Sequence, residues 1–412
     1  MTVARRPRFS LRRVLLMLAF LGPGLITASA DNDAPGIATY SMAGSTFGFK
    51  FLWIIVWITL GEVVVQEMAA RMGAATGKGL TDLIRERFGV RLTFLVMCGL
   101  ILANLGTTAS QFAGVAAGAE LFGISRYVAV PVAAAGIWWL VTRGSYQRVE
   151  KVLLALSVYA VAYVVSAIMV RPDWGLVLRS SLLPTIEPTR EYMLAVLATV
   201  GTTITPWAAV YMQASVVDKG VTMRTFRATR ADVICGAAAG NVVSAFIIVA
   251  TAATLFAQGI RVETAEQAAM GLAPLAGPWS EWLFGAGLVG ASLLAASVLP
   301  LATTYAVCEA FGWERGIDHR PHDAPVFYGL YTAQVVLGSL VVMIPGLRLF
   351  LMMWVSQVAN ALLLPLVLVL MLKLVNDTGL MGRWTNARWM NVVVVLLTLL
   401  VSAATVTLVV GP

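Results

Sequence analysis

The sequence predicts an all-α, polytopic membrane protein, and three observations predict it. Of the 412 residues, 59% are hydrophobic and only 12% charged, with a mean hydropathy of +0.83; a soluble domain carries about 25% charge and 45–50% apolar residues. The apolar residues are gathered into runs of roughly the 20 residues that a helix needs to cross the hydrocarbon, too long and too unalternating for barrel strands. The basic residues sort by loop: of 29 Lys and Arg, all but Lys50, Arg126, Arg171, Arg179, Arg190, Arg261 and Arg348 fall on the side of the N-terminus. That bias puts the N-terminus in the cytoplasm. A soluble enzyme, a disordered chain and a disulfide scaffold are excluded by the same numbers.

Eleven spans follow along the chain: 14–45, 51–70, 93–121, 127–142, 152–170, 192–217, 231–257, 282–309, 326–344, 349–372 and 390–410. An odd number puts the C-terminus outside. The chain reads as one transmembrane domain over 1–412, with five spans in 14–170, five in 192–372 and an extra one at 390–410. Arg5 to Arg13, an apolar run and then Ala28-Ser29-Ala30 imitate a secretory signal. The run continues past Asp33 to Trp57, so a retained first span is expected. The basic excess lies in short loops, where topology puts it, and marks no nucleic-acid surface. Cys98, Cys235 and Cys308 all sit inside apolar runs, which fits neither a disulfide framework nor a metal cluster. His319 and His322 share one polar loop.

The first span breaks its own pattern at Ala30-Asp31-Asn32-Asp33-Ala34-Pro35-Gly36. Acids at that depth are costly and are functional candidates by default. Pro35 removes a backbone donor and Gly36 loosens the helix; lipid cannot satisfy the freed carbonyls, so they must line a protein-enclosed cavity. Asp31 and Asp33 stand about 200° apart on a regular helix, so only unwound backbone turns both toward one ligand. A Pro-kinked helix capped by acids is the structural alternative. The sixth span repeats the device at Gly201-Thr202-Thr203-Ile204-Thr205-Pro206-Trp207. Two interrupted helices, each opening a group of five spans, point to the binding site of a transporter. The ligands on offer are oxygens only, namely carboxylates, hydroxyls and backbone carbonyls, which suit Mg²⁺, Ca²⁺ or Mn²⁺.

These residues carry a resemblance. Asp33 with its flank, Ala43-Gly44-Ser45-Thr46-Phe47-Gly48-Phe49 and Leu52-Trp53 resemble the first span of the Nramp family of divalent-metal transporters. Ala74-Ala75-Thr76-Gly77-Lys78-Gly79-Leu80 resembles that family's loop after the second span. Ser356-Gln357-Val358, Leu364-Pro365 and Asn376-Asp377 through Met381-Gly382 resemble its tenth span and exit. The resemblance covers nearly the whole chain. It implies the leucine-transporter fold, two inverted five-helix repeats plus one helix, working by alternating access as a multi-pass protein of the cell membrane. The divalent cation is cargo, no cofactor is expected, and the lipid bilayer is the other partner; the protein is expected to act as a monomer.

Departures from the family pattern are informative. Its first-span motif is Asp-Pro-Gly-Asn; here Asp33-Ala34-Pro35-Gly36 keeps the aspartate and puts Gly36 at the asparagine ligand. Its sixth-span motif is Met-Pro-His; here Thr205 takes the place of the metal-binding methionine and Trp207 that of the histidine. The family's backbone-carbonyl ligand falls on Thr202, and its two proton-carrying acids of the third span on Thr108 and Gln111. Losing the thioether removes a preference for soft metals, and neither a Thr hydroxyl nor a Gln amide titrates at physiological pH. The pattern resembles the Nramp-related magnesium transporter branch. Gln357, by the same resemblance, is a ligand that reaches the ion in one state of the cycle, with an interhelical hydrogen bond as the alternative; Asn360 shares its helical face. The expected ligand set is therefore Asp33, Gly36, Thr202, Thr205, Gln357, Asp31 and Asn360. Glu62 and Glu67 are expected to pair with a neighbouring helix, and Trp207 to act as a gate or a space-filler. The competing expectations are a proton-coupled Mn²⁺/Fe²⁺ transporter using Glu62 or Glu67, and a transporter of small organic solutes.

Overall fold

The computed structural model describes residues 32–143, 160–314, 316 and 322–410. Asp31, the signal-like segment with the rest of 14–31, residues 152–159 of the fifth span and His319 lie outside the described residues. Each span read from the sequence has a helix at its place. Ala34–Phe47 (α1) and Leu52–Thr76 (α2) are separated by one 3-10 turn at Gly48–Phe51, and Leu80–Phe88 (α3) is a short amphipathic helix in the loop that follows. Val90–Glu120 (α4), Arg126–Arg143 (α5) and Ala160–Met169 (α6) complete the first group, and Trp174–Leu182 (α7) joins it to the second. The sixth span is two helices, Arg190–Thr203 (α8) and Pro206–Asp218 (α9). Phe226–Thr254 (α10) leads through the short Ala265–Met270 (α11) and Ala273–Ala276 (α12) to Ser280–Phe311 (α13). Pro325–Val342 (α14), Leu349–Val375 (α15), the single turn Thr378–Met381 (α16) and Arg388–Val410 (α17) end the described chain.

Outward faces carry the residues that meet lipid. Val392, Leu396, Leu399 and Val406 of α17, and Leu95 and Leu102 of α4, are exposed; such a surface is stable only against hydrocarbon. Small and polar side chains lie inside. Helices in lipid gain little from burying apolar surface against each other, so close approach and hydrogen bonds hold them together. Asn104 on α4 donates to Thr303 Oγ1 on α13 at 2.7 Å. Gly114 of α4 has no room for a side chain: a Cβ there would lie 2.2 Å from Ala34 Cβ and 2.3 Å from Ser292 Oγ. The start of α1 is therefore pressed between α4 and α13.

Ion pairs sort the loops. In one set Lys50 meets Glu187 at 3.1 Å, Arg126 meets Glu120 at 2.6 Å, Arg261 meets Glu191 at 2.9 Å and Arg348 meets Glu263 at 2.8 Å. In the other Arg87 meets Asp377 at 3.0 Å and Arg230 meets Glu67 at 3.4 Å. Every pair joins residues that the alternation of spans puts on the same side, whereas one missed or invented span would have crossed inner with outer loops. The exposed pairs contribute about 0–1 kcal/mol each and matter here as a record of topology. Glu67 differs, because both it and Arg71 are buried, 3.1 Å apart, and Arg71 also bonds the Trp384 carbonyl and Asn386 Oδ1. Arg71→Met deletes all of these at once. It is expected to cost about 3 kcal/mol, the scale for breaking a buried pair, and to lower the melting temperature of the detergent-solubilised protein.

Candidate metal centre

Asp33 does not continue a helix. Its backbone is extended (φ −73°, ψ 178°) and it caps α1, with Oδ1 accepting from the Gly36 N–H at 2.8 Å. Pro35 sits in the first turn, where a missing N–H costs nothing. The other carboxylate oxygen, Oδ2, accepts from Nε2 of Gln111 on α4. The carboxylate is buried, only 5% of Asp33 being exposed. Two donors occupy about half of the four acceptor positions an ionised carboxylate offers. Asn32, one residue earlier, donates to the Gly240 carbonyl at 3.1 Å and accepts from Ser244 Oγ at 3.2 Å, which fixes the entering chain against α10. The Gly36 N–H is a donor and cannot ligate a cation. Through its hydrogen bond Gly36 holds the Asp33 carboxylate in place.

The break in the sixth span has a local cause. A residue before proline is driven out of the helical region, and Thr205 is extended (φ −81°, ψ 138°) after an irregular Ile204 (φ −112°, ψ 74°). Pro206 has no N–H, so the Thr202 carbonyl, four residues back, loses its helical partner. That carbonyl lies at the negative end of α8. Thr205 caps α9 without a side-chain bond, and its Oγ1 is buried with no partner. Trp207 is 1% exposed and packs on Leu294, Val298, Leu299 and Ala302 of α13; its ring fills space beside the break.

Four helices close a circuit around these residues. Tyr40 on α1 hydrogen-bonds Thr203 Oγ1 on α8 at 2.8 Å. Gly201 on α8 abuts the Gln357 carbonyl on α15, where a Cβ would lie 2.0 Å from that oxygen. Asn360 on α15 donates to Thr107 Oγ1 on α4 at 3.0 Å, and Ser356 meets Ser110 at 2.8 Å. Gln111 on α4 returns to Asp33. Each link touches or adjoins a residue singled out from sequence: Asp33, Thr202, Gln357 and Asn360. Asn360 makes an interhelical hydrogen bond, and its Oδ1 stays buried without a partner. Gln357 accepts from Asn360 Nδ2 at 3.1 Å and donates to Ser356 Oγ at 3.0 Å, so both ends of its amide are engaged.

Sequence reasoning gave Tyr40, Gly114, Gly201 and Asn32 no role. Gly114 carries a readable signal, since Gly114-Val115-Ala116-Ala117-Gly118 is a spacing that brings helices close in lipid. Glu62 takes the pairing expected of it, accepting from Gln66 Nε2 at 2.8 Å and from Asn241 Nδ2 on α10. Glu67 pairs with Arg71 and with Arg230 of α10. Among the described residues no three of His, Cys, Asp and Glu gather as a cluster. Among the described residues Asp33 is the one carboxylate in this circuit, and its other members are neutral.

The sequence profile described as natural resistance-associated macrophage protein-like, Nramp, matches residues 24–411. The divalent metal cation transporter MntH of Bacillus subtilis is 27% identical over 405 residues, covering 96% of this chain and 92% of that protein. MntH of Klebsiella pneumoniae is 31% identical over 383 residues, 91% of this chain and 89% of that one. Among solved structures, a manganese transporter of Eremococcus coleocola aligns over 100% of this chain and 91% of its own at 22% identity, with a TM-score of 0.74. MhsT in complex with L-phenylalanine aligns over 98% and 100% at 16% identity, with a TM-score of 0.62. The fold is leucine-transporter-like.

Proposed function

The chain belongs to the Nramp family, and from that membership we propose that it is a divalent metal cation transporter that carries hydrated Mg²⁺, and Mn²⁺ beside it, into the cytoplasm by alternating access without moving protons. The observation that supports this reading is the circuit of α1, α8, α15 and α4 around one buried carboxylate. Asp33 would supply the charge, the Thr202 carbonyl and Thr205 Oγ1 the neutral oxygens, and Gln357 and Asn360 further oxygens in a state that frees them, with Asp31 a further candidate. No sulfur stands at either break. Mg²⁺ prefers oxygen, dehydrates reluctantly and keeps several waters, so one carboxylate and small neighbours such as Gly36 suit it. The repeats would be 14–170 and 192–372, inverted, each opening on an interrupted helix.

Proton coupling is left out of the reading on chemical grounds. Thr108 and Gln111 do not titrate, Glu62 is engaged by two amides, and Glu67 is held between two arginines. The membrane potential alone supplies about 4.6 kcal/mol per 100 mV for a dication, enough to drive accumulation. Proteoliposomes with an inside-negative potential test the reading. Mg²⁺ should accumulate while internal pH stays level. Uptake confined to Mn²⁺ with acidification of the lumen would instead identify a proton-coupled manganese transporter. Thr205→Met restores a thioether, and is expected to shift the Mn²⁺-over-Mg²⁺ preference roughly tenfold toward Mn²⁺, read as a ratio of initial uptake rates.

A further inference from the structure

We propose that Gln111 of α4 is itself a cation-positioning residue: its amide N–H aims the Asp33 carboxylate, and its side-chain carbonyl accepts from a water in the ion's hydration shell. The inference rests on the reading that Asp33 holds the cation. Gln111 is fully buried, with Nε2 on Asp33 Oδ2. The direction of that amide is fixed by charge, because an ionised carboxylate only accepts and therefore faces the nitrogen. Oε1 then lies one amide's width from the carboxylate, and it is buried with no hydrogen-bond partner. A buried acceptor left unpaired is rare in a folded protein. One that stands beside the Asp33 carboxylate is placed to accept from ion-bound water.

Gln111 has no room to serve otherwise. One turn on, Gly114 lies flush against Ala34, so α4 and the start of α1 approach each other closely beside Gln111. One turn back, Thr108 Oγ1 is likewise buried and without a partner, and Thr107 receives Asn360. Residues three and four apart share a helical face. This side of α4 therefore carries neutral hydroxyl and amide groups at Thr107, Thr108 and Gln111, with Thr107 meeting Asn360 and Gln111 meeting Asp33. Such groups can exchange hydrogen bonds with ion-bound water and neither give nor take a proton.

The full chain, reconstituted and in detergent, tests this with Gln111→Met, which keeps length and volume and deletes both polar ends, and with Gln111→Asn, which keeps the amide on a shorter stem. Gln111→Met should raise the Mg²⁺ concentration for half-maximal uptake at least about tenfold, the scale for losing a group that orients a metal ligand, with a maximal rate within about threefold of the parent. Mn²⁺ should be affected less, and Gln111→Asn should fall between. The melting temperature without ions should fall by no more than a few degrees, the cost of one lost buried hydrogen bond, while the rise that Mg²⁺ produces should disappear. Half-saturation unchanged for both ions overturns the proposal and, with Asp33→Asn inactive beside it, leaves the Asp33 reading intact. Equal losses for both ions together with a larger fall in the ion-free melting temperature also overturn it, by making Gln111 a packing residue. A parent protein that neither binds nor takes up either ion removes the Asp33 reading itself.

Discussion

Asp33→Asn is expected to lower Mg²⁺ uptake by roughly 100-fold or more, about 3 kcal/mol, with little change in folding. The substitution keeps shape and removes charge. Asparagine caps a helix as well as aspartate does, so its Oδ1 can still accept from the Gly36 N–H. Its new N–H₂ faces Gln111, whose amide can turn to offer the unpartnered Oε1 instead. Every local hydrogen bond therefore has a replacement. The loss is the attraction between a carboxylate and a dication at a site where only 5% of Asp33 meets solvent, and low local polarity magnifies that attraction. Uptake by proteoliposomes, compared with the melting temperature of the same preparation, checks both halves of the expectation. A variant that folds and still transports at the parent rate would remove Asp33 from the site.

Gly201→Ala is expected to damage both stability and transport without touching a ligand side chain. A Cβ at Gly201 would lie 2.0 Å from the Gln357 carbonyl oxygen and 2.8 Å from the Ala361 nitrogen. Both are backbone atoms of α15 and cannot rotate aside, so α8 must move bodily. Overpacking of this kind costs about 1–3 kcal/mol, and the shift displaces the neighbouring Thr202 carbonyl. A fall of several degrees in melting temperature is expected, with at least about a tenfold loss of uptake, since small misplacements of a binding group are costly. Gly106→Ala on α4 is the control, with nothing within 4 Å of the added carbon. It should be neutral or slightly stabilising, as alanine is the better helix former.

The start of α1 and the break at Thr205 were readable in advance because capping and proline act locally. Asp33 caps α1 with Pro35 in its first turn, and Pro206 turns Thr205 out of the helical region, although Pro131, Pro300 and Pro365 are held inside helices. The helical spans were equally readable, since apolar length is a property of short segments. The circuit was not. Whether Gln111 points at Asp33 depends on the rotation of α4 against α1, and that is set by Gly114 meeting Ala34 across 80 positions of sequence. Gln357 and Asn360 show the same limit. Their spacing put them on one face, but only packing decides that Asn360 reaches Thr107 on α4. Gly36 is expected as a ligand from its alignment with an asparagine; the hydrogen bond its N–H makes to the carboxylate follows from helix capping at Asp33, which the alignment does not show.

Anomalous diffraction from crystals soaked in Mn²⁺ addresses the central claim most directly. A single strong peak is predicted within coordinating or water-bridged distance of the Asp33 carboxylate, on the side of the Thr202 carbonyl, and absent from Asp33→Asn crystals. A peak elsewhere in the protein that persists in Asp33→Asn would contradict the account.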